Sequence, residues 1–328
     1  MGGDREIRPT ECRTQASPYL HESPDLLSAK PDGNHELELH PPREIRNILG
    51  CMLPARGRRG WKVYAAGMEA SAPDKSKLLK WVKPGVIADL GCGPGTLLAL
   101  LKRKFPRGHL MGVDLSDEMV AFCRRRFPGI EIRQHDIKVR LFDEESVDTI
   151  LLCSVLHEVF SYNGYDVRVV RQTLVHCVEA LRRGGRLILR DGVKPEKEDS
   201  VYLTFLNDAT RLKFFRFATE FGSSEVVWRE VDGRIHVARR DAMEFLTKYI
   251  YDVNWVHEVK EHFGVLPLQG WVEEIKRMGL KPLFYDSYLL PWLRQTHWQR
   301  DVRMEVKIDE RYQPTDYPHS TMILVGQK

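Results

Sequence analysis

The stretch "DLGCGPG", residues 89–95, constrains the fold of this chain more than any other short segment. Glycine occupies positions Gly91, Gly93 and Gly95, so the backbone there can adopt positive φ and can approach another group closely. The preceding letters "GVIADL" predict a buried strand, and "TLLALLKRKF" predicts a helix that stops at Pro106. Strand, glycine turn and helix in this order indicate one unit of a parallel α/β sheet.

The same alternation continues along the chain. Further strands are predicted at "HLMGVDLS", "IEIRQHDI", "VDTILLCSV" and "RLILRD", with helical patterns between most of them. A helix at "GWVEEIKRMGL" and strands at "KPLFYDSYLL" and "TMILVG" complete the set, with a long aromatic loop before the last strand. These elements predict an α/β fold, a doubly wound, Rossmann-like, mostly parallel sheet of seven strands.

Residues 193–268 interrupt this rhythm after the fifth strand. They are aromatic and charged, and we predict helices at "YLTFLNDATRLKFFRFATEF" and "RDAMEFLTKYIYDVNWVHEV" around a hairpin at "VVWREVDGRIHVA". The domain organisation expected from sequence is therefore an irregular N-terminal arm over 1–60, a ligand-binding core over 61–192, an insertion over 193–268 that covers the substrate, and the rest of the core over 269–328.

Composition excludes several classes of protein. The formal net charge of +4 comes from 50 basic and 46 acidic residues, a near balance that makes a nucleic-acid partner unlikely without excluding it. The six cysteines form no C-x-x-C pair, so we expect a reducing, cytoplasmic location. We expect no membrane anchor, since the longest apolar stretch is too short to span a bilayer. We also expect no metal, because no pair of histidines has the H-E-x-x-H spacing.

The glycine turn does not fit a dinucleotide. A third glycine of the G-x-G-x-x-G pattern would fall at Thr96 or Leu98, and a carboxylate at Asp89 would repel a pyrophosphate. The same carboxylate would attract an ammonium or sulfonium group. S-adenosylmethionine (SAM) carries both cations and no phosphate, so it suits this turn better than NAD does.

At this point the chain resembles the class I SAM-dependent methyltransferases, whose first motif is an acidic residue followed by G-x-G-x-G, here Asp89, Gly91, Gly93 and Gly95. The segment "CSVLHEV" is similar to the ubiquinone and menaquinone biosynthesis group, in which a histidine often occupies this loop. It lacks the N-P-P-Y motif of enzymes that methylate amino groups of nucleic acids. The resemblance implies SAM as cofactor and methyl transfer as the reaction.

Cofactor-binding residues are predicted at the carboxyl ends of neighbouring strands, where open parallel sheets bind their ligands. Asp114 can accept hydrogen bonds from both ribose hydroxyls. The resemblance implies that Leu115 and Ile137 contact the adenine and that Asp136 accepts from its amino group. The remaining candidates are the small neighbour Cys92, the helical residue Met119, the strand-four pair Cys153 and Ser154, and the lid residue Tyr64.

His157 is the catalytic candidate, and two interpretations of it stay open: a general base or substrate contact, and a histidine held structurally at the start of a helix. The function expected is in-line transfer of a methyl group from SAM to an oxygen, nitrogen or carbon of a small molecule. Two alternatives remain, a methyltransferase acting on RNA or protein, and a SAM-fold subunit without catalysis. The sequence does not specify the acceptor or the oligomeric state.

Overall fold

The computed structural model describes residues 71–328, so the predicted arm over 1–60 and Tyr64 lie outside the described residues. The twelve strands of the described part are β1 (Val86–Leu90), β2 (His109–Asp114), β3 (Glu131–Gln134), β4 (Val147–Cys153), β5 (Leu181–Asp191), β6 (Ser200–Phe205), β7 (Trp228–Val231), β8 (Arg234–Ala238), β9 (Lys281–Tyr288), β10 (Val302–Ile308), β11 (Arg311–Pro314) and β12 (Thr321–Gln327). They form two separate sheets.

The helices of the same residues are α1 (Ala72–Lys75), α2 (Thr96–Lys104), α3 (Asp117–Arg126), α4 (Leu156–Ser161), α5 (Val167–Ala180), α6 (Asp208–Glu220), α7 (Arg239–Lys248), α8 (Trp255–Glu258), α9 (Leu268–Arg277) and α10 (Gln299–Asp301). A 3₁₀ helix, Ser76–Trp81, follows α1, and a π-helix, Leu293–Trp298, precedes α10. No helix in the described part of the chain is long and apolar enough to cross a membrane.

The first sheet has seven strands in the order β3-β2-β1-β4-β5-β12-β9. Neighbours from β3 to β5 run parallel, whereas β12 is antiparallel to both of its partners. Strand β4 is buried along its whole length because apolar elements cover both faces of the sheet. The predicted fold class, a doubly wound and mostly parallel seven-stranded sheet, is confirmed.

One predicted boundary in this sheet was wrong. The segment "DVRVVRQTLVHCVEALRRGG" predicts a helix that continues to the glycines at 184 and 185, but α5 ends at Ala180 and β5 begins at once. Leu181 has extended backbone angles, is fully buried and pairs with Val147. The buried pairing at the start of β4 and β5 thus overrides the helical periodicity of the local sequence.

The second sheet has five antiparallel strands in the order β11-β10-β6-β8-β7. The predicted hairpin is confirmed as β7 and β8, with Trp228 opposite Val237. The helix predicted to start at "YLTFL" was wrong, because Val201 and Leu203 alternate with less buried neighbours and form β6. The predicted aromatic loop was also wrong, since it holds the π-helix, α10, β10 and β11.

The second sheet has its own apolar core. The aromatic residues at its centre pack edge to face and stack upon one another, as with Phe214 against Phe245 at 5.2 Å between ring centroids. Most aromatic residues of the insertion thus pack in this core, among them Phe214, Phe215, Phe217, Trp228 and Tyr249.

Candidate functional site

A cavity of about 550 Å³ lies beyond the carboxyl ends of β1, β2, β3 and β4. Its floor is the glycine turn after β1, and one wall is the segment that begins with α4. Eight of the residues predicted to bind the cofactor line it: Gly91, Gly93, Asp114, Leu115, Met119, Asp136, Ile137 and Ser154. Five further predicted residues are buried and are not among the lining residues: Asp89, Cys92, Gly95, Cys153 and His157.

Packing against neighbouring side chains explains two of the three glycines of the turn. All three have positive φ, with Gly95 at 80° acting as the N-cap of α2. A side chain at Gly91 would meet Val155 at 2.5 Å, and one at Gly95 would meet the Phe127 ring at 2.4 Å. Neighbouring protein groups, rather than a ligand, therefore require glycine at these two positions.

Asp114 is fixed by the backbone on both sides. Its Oδ2 accepts from the Gly93 amide at 2.8 Å, and its Oδ1 accepts from the Ser116 amide at 2.9 Å. Burial raises the pKa of this carboxyl group, and the backbone hydrogen bonds partly offset that rise. Each oxygen keeps a further lone pair, so the carboxylate can still accept from two hydroxyl groups of a ligand in the cavity.

Asp89 at the end of β1 is 1% exposed, and its Oδ2 has no hydrogen-bond partner among residues 71–328. Burial raises the pKa of Asp89 to about 7, with Lys75 lowering it and Asp114 raising it further. A buried acceptor atom without a donor is costly unless a ligand supplies one. The amino group of SAM is such a donor, so the residues present fit this cofactor.

Asp136 and Lys138 occupy the β3 side of the cavity. The Asp136 Oδ1 accepts from the Lys138 amide at 3.0 Å, and the Lys138 Nζ lies 3.4 Å from the other carboxylate oxygen. The same Nζ donates to Asn163 Oδ1 at 2.7 Å, which ties this side to the α4 wall. Leu115, 65% exposed, offers an apolar surface at the rim.

Ser154 follows β4 with φ of 58°, an uncommon conformation for a residue other than glycine. Its amide donates to the Arg190 carbonyl at 2.7 Å, and its Oγ accepts from the Arg190 guanidinium at 2.7 Å. Arg190 is itself buried against Asp74, to which Tyr288 also donates at 2.9 Å. The turn at the end of β4 is thus held in place by a buried ionic network.

His157 is 7% exposed and lies behind the cavity wall. Its Nδ1 is 2.6 Å from Asp191 Oδ1, and its Nε2 is 3.6 Å from Glu261 Oε2. Burial lowers the pKa of His157, but the two carboxylates more than offset this and hold the pKa well above its usual value. The other Asp191 oxygen accepts from the Leu156 amide at 2.8 Å, so one carboxylate orients both the ring and the helix start.

Sequence reasoning missed the part of the wall that α4 and its C-terminal end contribute. Glu158, Val159, Tyr162 and Asn163 line the cavity. Residues four apart share one face of a helix, as Glu158 and Tyr162 do, and Val159 and Asn163. This spacing, which begins at the end of the segment "CSVLHEV", was the signal that could have found them. The other lining residues that were not predicted are Ser116, Glu118, His135, Lys138 and Val155.

Known proteins resemble parts of this chain. Residues 88–187 match the family model described as "Methyltransferase domain". An uncharacterized 37.1 kDa protein in transposon TN4556 of Streptomyces fradiae is 38% identical over 112 residues, which are 33% of this chain and only 30% of that protein. The trans-aconitate 2-methyltransferase of Acidovorax sp. (strain JS42) is 28% identical over 222 residues, 63% of this chain and 75% of the relative.

Solved structures include a SAM-dependent methyltransferase from Mesorhizobium loti, which superposes with a TM-score of 0.47 at 15% identity. The superposition covers 79% of this chain and 98% of that one.

Proposed function

We propose that this chain, in which residues 88–187 are a class I SAM-dependent methyltransferase domain with SAM as its cofactor, transfers the methyl group of SAM to a small-molecule acceptor. The observation that carries the proposal is the buried Asp89 Oδ2, which has no hydrogen-bond donor within the described part of the chain. A carboxylate so placed, next to the second carboxylate of Asp114 on the neighbouring strand, matches a ligand that has an ammonium group and a ribose.

The cofactor-binding roles divide along the cavity. Asp89, which is buried and does not line the cavity, would orient the amino group directly or through a water. Asp114 would hold the two ribose hydroxyls and Asp136 the adenine amino group. Leu115 and Ile137 would supply apolar contact to the adenine ring. Cys92 and Cys153 are buried in an apolar core of the first sheet and do not line the cavity.

SAM, when bound, supplies a methyl group on a positively charged sulfur, and an incoming nucleophile displaces that sulfur in line. The chain's part is to align the acceptor and to keep water out. Ser154, Val155 and Glu158 line the cavity after β4, whereas the residues assigned to the adenine follow β2 and β3, so the acceptor would bind on the β4 side.

We assign His157 a positioning role. Both of its ring nitrogens face carboxylates of the protein and its side chain is buried, so it is poorly placed to take a proton from an acceptor. An acceptor that is already an anion, such as a carboxylate, needs no base, because it is ionised at neutral pH. The Acidovorax relative is named for a substrate of this kind, trans-aconitate, and we infer that a small carboxylic acid is the acceptor here.

The insertion would cover the acceptor. Glu261 and Phe263 come from the end of the predicted insertion, and both contact His157 behind the cavity wall. Tyr162, which lines the cavity, donates to Glu261 at 2.7 Å. A shift of the insertion would therefore be transmitted to the wall on which the acceptor rests.

The test is label transfer from methyl-labelled SAM to a panel of small carboxylic acids, phenols and amines, with SAM binding measured by calorimetry on the same preparation. Asp114→Asn should weaken SAM binding at least tenfold, since it removes a charged acceptor of two hydrogen bonds. Asp143→Asn, at an exposed position, is the control and should change nothing. Failure to bind SAM would refute the proposal, and transfer to RNA or protein alone would support the macromolecular alternative.

A further inference from the structure

A second polar cluster adjoins the cavity on the α4 side. His157, Glu158 and Glu261 offer one imidazole nitrogen and two carboxylate oxygens that all lie within 4.8 Å of one another. His157 and Glu261 are buried, and Glu158 is half-buried where it lines the cavity. Nitrogen and oxygen donors of this kind are ordinary ligands of divalent transition metals.

The surroundings of His157 are those of a metal ligand. Its Nδ1 is 2.6 Å from Asp191, and histidines that bind metals commonly donate this second N–H to a carboxylate, which leaves Nε2 free to coordinate. Nε2 is 3.6 Å from Glu261 Oε2, too long for a good hydrogen bond. Two ligands bound at 2.0–2.2 Å to one ion would be separated by roughly 3.0–3.5 Å, close to this distance.

Further contacts orient the carboxylates. The Tyr162 hydroxyl donates to Glu261 Oε1 at 2.7 Å, which leaves Oε2 directed at His157.

We propose that His157, Glu158 and Glu261 bind one divalent first-row transition-metal ion, such as Mn²⁺ or Zn²⁺, at the edge of the cofactor cavity. Three protein ligands leave positions open, and Glu158 directs that open side toward the cavity. There the ion would bind an oxygen anion of the acceptor, which the glutamates alone would repel. This binding of the acceptor by the ion rests on the proposed methyl transfer, whereas the metal site itself does not.

The first experiment measures metal binding on the full chain after treatment with a chelator, by titration calorimetry with Mn²⁺ and with Zn²⁺ and by metal analysis after desalting. We expect one ion per chain, and at least tenfold weaker binding in Glu261→Gln and in Glu158→Gln. Glu305→Gln is the matched control, since Glu305 is buried in the second sheet, where it accepts from Thr204. Circular dichroism verifies that each variant is folded.

A wild-type chain that retains no ion, or variants that bind as tightly as the wild type, would overturn the metal site. If Glu261→Gln fails to fold, the half-buried Glu158→Gln and the wild-type stoichiometry still decide the matter. The binding of the acceptor by the ion has its own test. Chelation should raise the KM for a carboxylate acceptor at least tenfold, and an unchanged KM would refute this role of the ion alone. Metal binding without any methyl transfer would uphold this site and refute the proposed function.

Discussion

Asp89 is the residue whose chemical state depends most on the fold around it. Asp89 is only 1% exposed, and burial is the main reason that its pKa rises to about 7. Lys75 offsets this rise only in part, so the ionised form remains unfavourable until a further cation approaches. A ligand ammonium group would restore the interaction that water provides in an unfolded chain.

This shift predicts a pH dependence of SAM binding. The ammonium binds the ionised carboxylate, so affinity should fall as the pH drops below about 7, by up to tenfold per pH unit. Calorimetric titrations between pH 7.5 and 5.5 would measure it. Asp89→Asn should bind SAM weakly at every pH in this range.

A second consequence concerns stability without ligand. A carboxyl group with a raised folded pKa destabilises the protein once the pH exceeds its unfolded value of about 3.8. Asp89→Asn should therefore be more stable than the wild type at pH 8 in urea titrations.

The binding prediction has its own contradicting outcome. A wild-type chain whose SAM affinity is constant from pH 7.5 to 5.5 would show that Asp89 does not hold the ammonium group.

At the scale of elements, the packing of α3 against the start of α2 explains why glycine occupies position 95 of the turn. Gly95 has φ of 80°, and an added Cβ would come within 2.4 Å of Phe127 and 3.1 Å of the Cys123 sulfur. Gly279, at the end of α9, has nearly the same φ of 82° and open space around it. Comparing alanine substitutions at Gly95 and Gly279 therefore distinguishes the cost of backbone strain from the cost of steric overlap.

Gly279→Ala should cost about 1–2 kcal/mol, the penalty of a left-handed conformation for alanine. Gly95→Ala should cost at least about 1–3 kcal/mol more, because the overlap with Phe127 forces a repacking. Urea denaturation of the two variants checks this. Equal losses of stability would mean that α3 moves aside freely.

Helix α7 contributes a buried ion pair. Lys248 is 0% exposed and bonds to Glu244, whose carboxylate also accepts from the Gly264 amide at 2.7 Å. Burial opposes ionisation of Glu244, but Lys248 and His262 prevail and lower its pKa to about 2. The stabilisation is present above about pH 4.5, the unfolded value, and is lost as the pH falls toward 2.

Lys248→Met should destabilise the protein by about 3–5 kcal/mol, because it leaves a buried carboxylate without its cation. Lys213→Met is the comparison, since Lys213 pairs with Asp252 at an exposed site, and it should cost less than about 1 kcal/mol. Thermal denaturation at pH 7 distinguishes them. Similar melting temperatures for both variants would contradict a stabilising role for the buried pair.

At the scale of the whole molecule, the first sheet and the second sheet have separate apolar cores. The second sheet is assembled from two parts of the chain, since β6 pairs with β8 on one side and with β10 on the other. None of the cavity-lining residues belongs to its core. Stability and cofactor binding should therefore respond separately to a change in that core.

Phe214→Ala tests this separation. The side chain is 0% exposed at the centre of the aromatic core, so its loss should cost about 3–5 kcal/mol. SAM affinity of the folded protein, measured well below its melting temperature, should change less than twofold. A fall in SAM affinity in parallel with stability would show that the two cores act as one.

Local patterns account for what could be predicted of the fold and the site. Strands β1, β2 and β4 are mostly apolar runs bounded by turn residues, and Asp89 and Asp114 stand at the ends of the first two. The pairing of β6 with β10 could not be predicted, because it joins residues about a hundred positions apart and depends on which apolar faces meet. Val201 and Leu203 alone are compatible with a helix or a strand.

By itself the sequence determined the doubly wound sheet, the glycine turn and the acidic residues that point to SAM, since these are properties of segments shorter than about twenty residues. Only the tertiary structure decided that His157 lies between Asp191 and Glu261, that Glu158 faces the cavity, and that strands of the insertion pair with β10 in a second sheet. Those outcomes depend on burial and on contacts between distant segments, which no local pattern encodes.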